Sequence, residues 1–272
     1  MSRRLWAVPA AVTTRQLRKV FDGVVAVAGL DLTIEPGTAF GLLGSNGAGK
    51  STTIKMLVTL LPMTAGEATV AGFDVRRDPR RVRAHIGYVP QMLSADAALT
   101  ARENLTLSGS LYGIPAALRR QRIDDALTLM DLVPHADKLV RQFSGGMIRR
   151  LEVAQAMLHR PQVLFLDEPT VGLDPGARRV VWQRLTDLRA SLRTTILLTT
   201  HDMEEAEVLC ERLAIMHQGR VVADGTPPAL KAAVGPEATL EDVFIKHTGG
   251  TLAEGGRYRD VALTRRTAGR LG

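Results

Sequence analysis

The run Gly44-Ser45-Asn46-Gly47-Ala48-Gly49-Lys50-Ser51-Thr52 matches GxxxxGK[ST] at every fixed position. A loop of this kind demands a buried strand before it and a helix after it. Ala39-Phe40-Gly41-Leu42-Leu43 supplies the strand, and Ile54, Met56, Leu57 and Leu60 mark the helix. The glycines let successive N–H groups turn inward as an anion-binding nest, to which the helix adds its positive N-terminal end. The occupant that fits is a nucleoside triphosphate, with Lys50 reaching the β- and γ-phosphates and Ser51 binding Mg²⁺. All nine residues of the run are therefore candidate nucleotide contacts. A turn that merely packs, or a dinucleotide-binding GxGxxG turn, requires no Lys-Ser pair.

A second constellation stands downstream. Val163-Leu164-Phe165-Leu166-Asp167-Glu168 is an apolar strand ending in two acids, which places carboxylates at the edge of a sheet where ligands of open α/β folds bind. Asp167 is the candidate Mg²⁺ holder, through a water, and Glu168 the candidate general base for an attacking water. An Asp-Glu pair after a strand is by itself most often a helix cap. Its weight comes from the phosphate-binding loop upstream.

Short apolar runs at 40–43, 86–89, 163–166, 195–199 and 213–216 alternate with amphipathic stretches and predict an α/β protein. Alternation of Val25, Val27, Leu30, Leu32 and Ile34 predicts antiparallel strands in the first forty residues, and 66–75 reads similarly. From about 97 to 160 helix signals dominate: Thr100 and Glu103 have capping-box spacing, and Met147, Leu151, Ala154 and Leu158 form one stripe before Pro161. Leu240, Val243 and Phe244 behind Thr239 predict a small packed helix.

At 272 residues and 45% hydrophobic content the chain can bury a sizeable core. No apolar run approaches the ~18 residues of a membrane span. Arg3 and Arg4 precede a short apolar patch that Pro9 interrupts, so no secretory signal is expected and a cytoplasmic setting is. Cys210, the one cysteine, excludes an internal disulfide and reads as a core thiol. The net charge of +7 lies in the two ends, Arg3, Arg4, Arg15 and Arg18 at one and five arginines after residue 250 at the other, so the body between is balanced. That weakens a nucleic-acid groove and suits basic tails beside an anionic membrane face, although solvated charge explains any single arginine.

Phe143-Ser144-Gly145-Gly146-Met147 opens the helix that ends before Pro161, and alone it is an ordinary N-cap. Together with the phosphate-binding loop and the Asp-Glu strand it resembles the signature of ATP-binding cassette (ABC) ATPases. The resemblance spans roughly residues 13–247 and includes six motifs in family order: phosphate loop, Gln91, signature, Asp167-Glu168, Asp174 and His201. It implies an α/β P-loop NTPase core with an N-terminal antiparallel β subdomain and an inserted helical subdomain at about 97–160. Residues 1–12 would be a basic extension and 248–272 a basic tail. By the same resemblance Gln91 touches the Mg²⁺ and water site, His201 bonds the γ-phosphate and Glu168, and Ser144, Gly145 and Gly146 contact ATP on a partner chain. Asp174 crosses the dimer interface, and Phe21 stacks on adenine. Each has a plain structural alternative: a loop amide for Gln91, a helix-start residue for His201, a turn former for Asp174, a β-core side chain for Phe21. Met147 and Ser45 depart from the commonest glutamine and proline of the family, and neither carries an essential charge.

The implied enzyme is an Mg²⁺-dependent ATPase working as a head-to-tail homodimer. The signature segment and the end Thr239-Leu240-Glu241-Asp242-Val243-Phe244-Ile245 resemble exporter ATPases of the daunorubicin-resistance type. These work at the cytoplasmic membrane face with a separate multi-span permease, on drugs, antibiotics or lipid-like substrates. A soluble cassette ATPase acting on ribosomes or nucleic acid is the competing reading; such proteins usually carry two cassettes or long insertions. No specific nucleic acid is expected as a partner. An importer subunit is the third.

Overall fold

Strand β3 (Ala39–Leu43) is buried at all its positions, as are β7 (Val163–Asp167) and β8 (Thr195–Thr200). These strands are near-continuous apolar runs because both faces of their sheet are covered, the usual state of parallel strands. The computed structural model describes residues 9–249. Its larger sheet has the order β10-β9-β3-β8-β7-β6. β6 (Ile86–Val89), β7, β8, β3 and β9 (Arg212–His217) run parallel, and β10 (Arg220–Gly225) folds back on β9 through a turn at Gln218 and Gly219. Both turn residues have positive φ, as a two-residue hairpin of this hand requires.

Alternation along these strands sorts the core into two layers. Leu43, Leu164, Leu166, Leu198 and Ile215 point to one cluster, while Phe40, Leu42, Phe165, Leu197 and Met216 point to the other. The second cluster is closed by a smaller antiparallel sheet of β1 (Val12–Phe21), β2 (Val24–Ile34), β4 (Ala65–Val70) and β5 (Phe73–Asp74), in the order β2-β1-β4-β5, and by α1 (Lys50–Leu57). The antiparallel strands read from the early alternation are thus present. The stretch 66–75 resolves into two strands because Ala71 and Gly72 turn with positive φ between them.

The first cluster is covered by helices. After the short α2 (Pro79–His85) and β6 come α3 (Ala101–Leu111), α4 (Ala116–Leu129) and α5 (Gly145–Met157), within the stretch that the sequence marks as helical; α3 and α5 have their own signals there and α4 has none. Thr100 caps α3 in a full capping box with Glu103. Then follow α6 (Pro175–Leu192), α7 (Met203–Leu209), α8 (Pro227–Ala232) and α9 (Leu240–Thr248). Thr239 and Asp242 cap α9 reciprocally, and Leu240, Val243 and Phe244 are its buried face. Cys210 is buried, its thiol pushed up first by burial. Of the basic ends read in the sequence, Arg15 and Arg18 lie in β1, while Arg3, Arg4 and the five arginines after residue 250 lie outside the described residues.

One boundary differs from the sequence expectation. α1 stops at Leu57, and Leu60 lies beyond it, 63% exposed. Thr59 takes a left-handed conformation, with its N–H donating to the Met56 carbonyl and that of Leu60 to the Lys55 carbonyl. This is a Schellman closure, built here without glycine, so no sequence signal announces it.

Candidate functional site

The phosphate-binding loop joins the C-terminal end of β3 to α1 and is fastened from three sides. The Gly44 N–H donates to the Thr200 carbonyl (3.2 Å), and the Gly219 N–H of the β9–β10 turn donates to the Ala48 carbonyl (3.0 Å). Gly49 caps α1 at φ 103, with the Ala26 carbonyl 2.5 Å from where a Cβ would stand. Glycine is required there for both conformation and space. A Cβ on Gly44 would meet the Met216 carbonyl at 2.4 Å. The exposed tip is Asn46 and Gly47.

Lys50 is 4% exposed. Its Nζ donates to the carbonyls of Gly44 (2.7 Å) and Ser45 (3.1 Å) and pairs with Glu168 Oε1 at 3.2 Å. Glu168 Oε2 in turn lies 3.0 Å from His201 Nδ1. One carboxylate thus joins a lysine of the phosphate loop to a histidine at the end of β8. Burial pushes Glu168 up, but the His201 hydrogen bond and the Lys50 charge more than offset it and hold the carboxyl below its usual value. As an ionised carboxylate is only an acceptor, His201 Nδ1–H is the donor. The same bond raises the His201 imidazole above its ordinary value, against partial burial. Burial lowers Lys50, with Glu168 and then Asp167 opposing. Glu168 has φ 49, which swings its side chain out of the line of β7.

Beside this triad Asp167 Oδ1 accepts from Ser51 Oγ (2.8 Å) and from Thr199 Oγ1 (2.7 Å). Ser51 and Asp167 form a pair of hard oxygen donors of the sort magnesium takes. Among the described residues no cluster of three or more His, Cys, Asp or Glu would hold a metal unaided. Such a pair suits a cation shared with phosphate oxygens. Burial, aided by the Asp167 charge, pushes the Tyr88 phenol up to about 12.

Thr199 was not singled out in the sequence. It lies opposite Asp167 in the β7–β8 register and also accepts from the Glu168 N–H at 3.0 Å, so it positions both acids. The available signal was a hydroxyl at the C-terminal end of a fully buried strand.

The remaining candidates sit on the surface around this centre. Ser144 caps α5, its Oγ accepting from the Met147 N–H at 3.3 Å. A Cβ on Gly145 would meet Leu173 at 3.0 Å and one on Gly146 would meet Ala177 at 2.8 Å, so the signature glycines pack against the Asp174 turn and the start of α6. Asp174 is exposed and caps α6 through the Ala177 N–H (2.9 Å). Gln91 is exposed, and its carbonyl accepts from Arg149 Nη2 at 2.8 Å. Phe21, 42% exposed at the β1–β2 turn, lies under Lys19 Nζ at 4.7 Å, so it is not a core side chain. Thr52 is half-buried in the first turn of α1.

Residues 27–171 match the family model described as ABC transporter. The chain is 46% identical over 225 residues to the daunorubicin resistance ATP-binding protein DrrA2 of Streptomyces coeruleorubidus, covering 83% of this chain and 70% of that one. It is 45% identical over 224 residues to the Nod factor export ATP-binding protein I of Paraburkholderia xenovorans, covering 82% and 73%. The fold superposes with a TM-score of 0.70 at 25% identity on a dimeric ATP-binding cassette in a post-hydrolysis state with ADP and Pi, covering 79% of this chain and 98% of that one. With a phosphate loop, an acid pair and a histidine gathered at one sheet edge, the chain belongs to the ABC transporter family as one of its ATP-binding, ATP-hydrolysing subunits.

Proposed function

We propose that this ATPase is the motor subunit of an exporter. Two copies pair head to tail at the cytoplasmic face of a membrane and drive efflux of a drug, antibiotic or lipid-like compound through a separate multi-span subunit. The observation that carries the hydrolytic part is the Lys50–Glu168–His201 arrangement, with Ser51, Asp167 and Thr199 beside it. The likeness to a daunorubicin resistance protein and a Nod factor export protein supports export.

In this reading residues 13–247 form the ATPase domain, with a helical subdomain at about 97–160. Residues 44–52 cradle the triphosphate and Phe21 stacks on adenine. Lys50 exchanges Glu168 for β- and γ-phosphate oxygens, which frees the carboxylate to take a proton from the attacking water. His201 holds Glu168 and the γ-phosphate in register, and Gln91 senses the water. Ser51, Asp167 and Gln91 would hold Mg²⁺, which would supply positive charge to neutralise the phosphates. Ser144, Gly145 and Gly146 complete the partner's site, and Asp174 lies between the two chains. ATP favouring the closed pair stabilises it by about 2.7 kcal/mol per site at a hundredfold excess over Kd.

Among the described residues no helix is long and apolar enough to cross a membrane. Exposed apolar side chains support a membrane partner: Met92 and Leu93 follow Gln91, and Leu107, Leu111 and Tyr112 stand on and at the end of α3. The test is to tag the protein at native level, solubilise membranes gently and identify what co-purifies. A multi-span protein is expected. Recovery only with ribosomes or nucleic acid would overturn the exporter reading and leave the ATPase chemistry standing.

A further inference from the structure

Arg149 and Glu152 stand three residues apart on α5, where a helical pattern reads them as surface charges. Both side chains are instead only 2% exposed, and they pair at 3.0 Å. Such burial is unfavourable for two ions unless their remaining donors and acceptors are used. Nearly all are, and all on one loop. Arg149 Nη1 donates to the Pro90 carbonyl (2.6 Å) and Nη2 to the Gln91 carbonyl (2.8 Å). Glu152 Oε1 accepts from the Ser94 N–H and from Ser94 Oγ (3.1 Å). The pair therefore grips both ends of the loop that carries Gln91, through the carbonyls of Pro90 and Gln91 and through the N–H and hydroxyl of Ser94. Arg149 Nε alone lacks a partner.

The other end of α5 is fixed separately. A Cβ on Gly87 would stand 2.4 Å from the Ala156 carbonyl, so helix and strand β6 touch backbone to backbone. The first turn of α5 packs on Leu173 and Ala177 beside Asp174. One helix thus touches the loop of Gln91 and the turn of Asp174, and begins at Ser144.

We propose that Arg149 and Glu152 are positioning residues for hydrolysis. Their ion pair fastens the Gln91 loop to the signature helix, so that Gln91 in one ATP site and Ser144 in the other move together. The inference rests on the two-chain reading above. It assigns the coupling to a charge pair that touches no nucleotide. Severing it leaves each half-site intact while uncoupling them.

The test compares the full-length chain with the double variant Arg149→Met/Glu152→Leu, which removes both charges at similar volume, and with Arg149→Lys, which keeps the charge but loses the fork. Melting temperature, Mg-ATP affinity, kcat and the Hill coefficient for ATP are read for each. The expected result is a folded double variant that binds ATP within about twofold of the parent. Its kcat falls by at least about tenfold, as small misplacements of reacting groups produce, and its Hill coefficient drops toward 1. Arg149→Lys lies between the two. A folded double variant with parental kcat and Hill coefficient overturns the proposal, as does an ATP affinity that falls by the same factor as kcat. Glu168→Gln in the parent separates the two readings. If it forms an ATP-dependent dimer while the double variant keeps parental kinetics, the coupling proposal alone fails. If it stays monomeric with ATP, the two-chain reading fails and this proposal with it.

Discussion

Replacing Glu168 with glutamine removes one charge from the middle of a buried chain, and two separable effects follow. In the free protein Lys50 and Glu168 have side chains 4% and 6% exposed, so their interaction is little screened. The amide keeps an acceptor for Lys50 Nζ but no countercharge, and the two carbonyl bonds remain. A hydrogen bond to a charged group contributes about 1.5–3 kcal/mol. A loss of about 2 kcal/mol lowers the melting temperature of a chain this size by roughly 4–8 °C. Triphosphate brings negative charge back to Lys50, so saturating ATP should raise the variant more than the parent and narrow the gap. Turnover should fall by about 10²–10⁴, the range for loss of a general base. Thermal unfolding with and without Mg-ATP, beside phosphate release, reads both effects. A gap of equal size in both conditions, or turnover within tenfold of the parent, would refute the placement of Glu168 as both the Lys50 counterion and the base.

Three further outcomes follow from the same geometry. Ser51→Ala removes the donor to Asp167 Oδ1, while Thr199 still holds that oxygen. ATPase titrated with Mg²⁺ should then need about 10–100-fold more cation with the fold unchanged, and an unaltered Mg²⁺ requirement would exclude Ser51 as a ligand. Gly87→Ala forces a methyl against the Ala156 carbonyl, and denaturant unfolding should show a loss of about 1–3 kcal/mol at unchanged slope. The His201 imidazole is raised by Glu168, so its stabilisation is complete below its unfolded value and is lost as pH rises through the higher folded one. The melting-temperature advantage of the parent over His201→Gln should therefore be larger at about pH 6 than at about pH 9; the opposite order would contradict the hydrogen bond.

Sequence legibility followed the range of the interactions. The phosphate-binding loop, the buried parallel strands and the Thr100 and Thr239 caps are local patterns in which each residue type has its own physical reason, and all form. Asp167 and Glu168 were legible because a strand ending in acids is also local. Thr199 was not, since its importance comes from standing opposite Asp167 in a register that sequence does not display. The end of α1 was missed because Thr59 closes it in a conformation usually left to glycine. Arg149 and Glu152 were hidden for a different reason: helical periodicity reads charge as surface, whereas their partners are carbonyl and amide groups some sixty positions away along the chain. Phe21 carries two readings in the sequence, an adenine-stacking ring and a β-core side chain, and its exposure at the hairpin turn removes the second.

In the proposed dimer each ATP is enclosed between the phosphate-binding loop of one copy and the signature of another. Asn46 and Ser144 are both exposed, and Cys210 is buried, so introduced cysteines can be read without interference. The measurement is oxidative cross-linking of Asn46→Cys/Ser144→Cys in the Glu168→Gln background, with and without ATP. A disulfide-linked dimer that forms only with ATP is expected. Absence of that dimer at saturating ATP, or its equal formation without nucleotide, would contradict that arrangement.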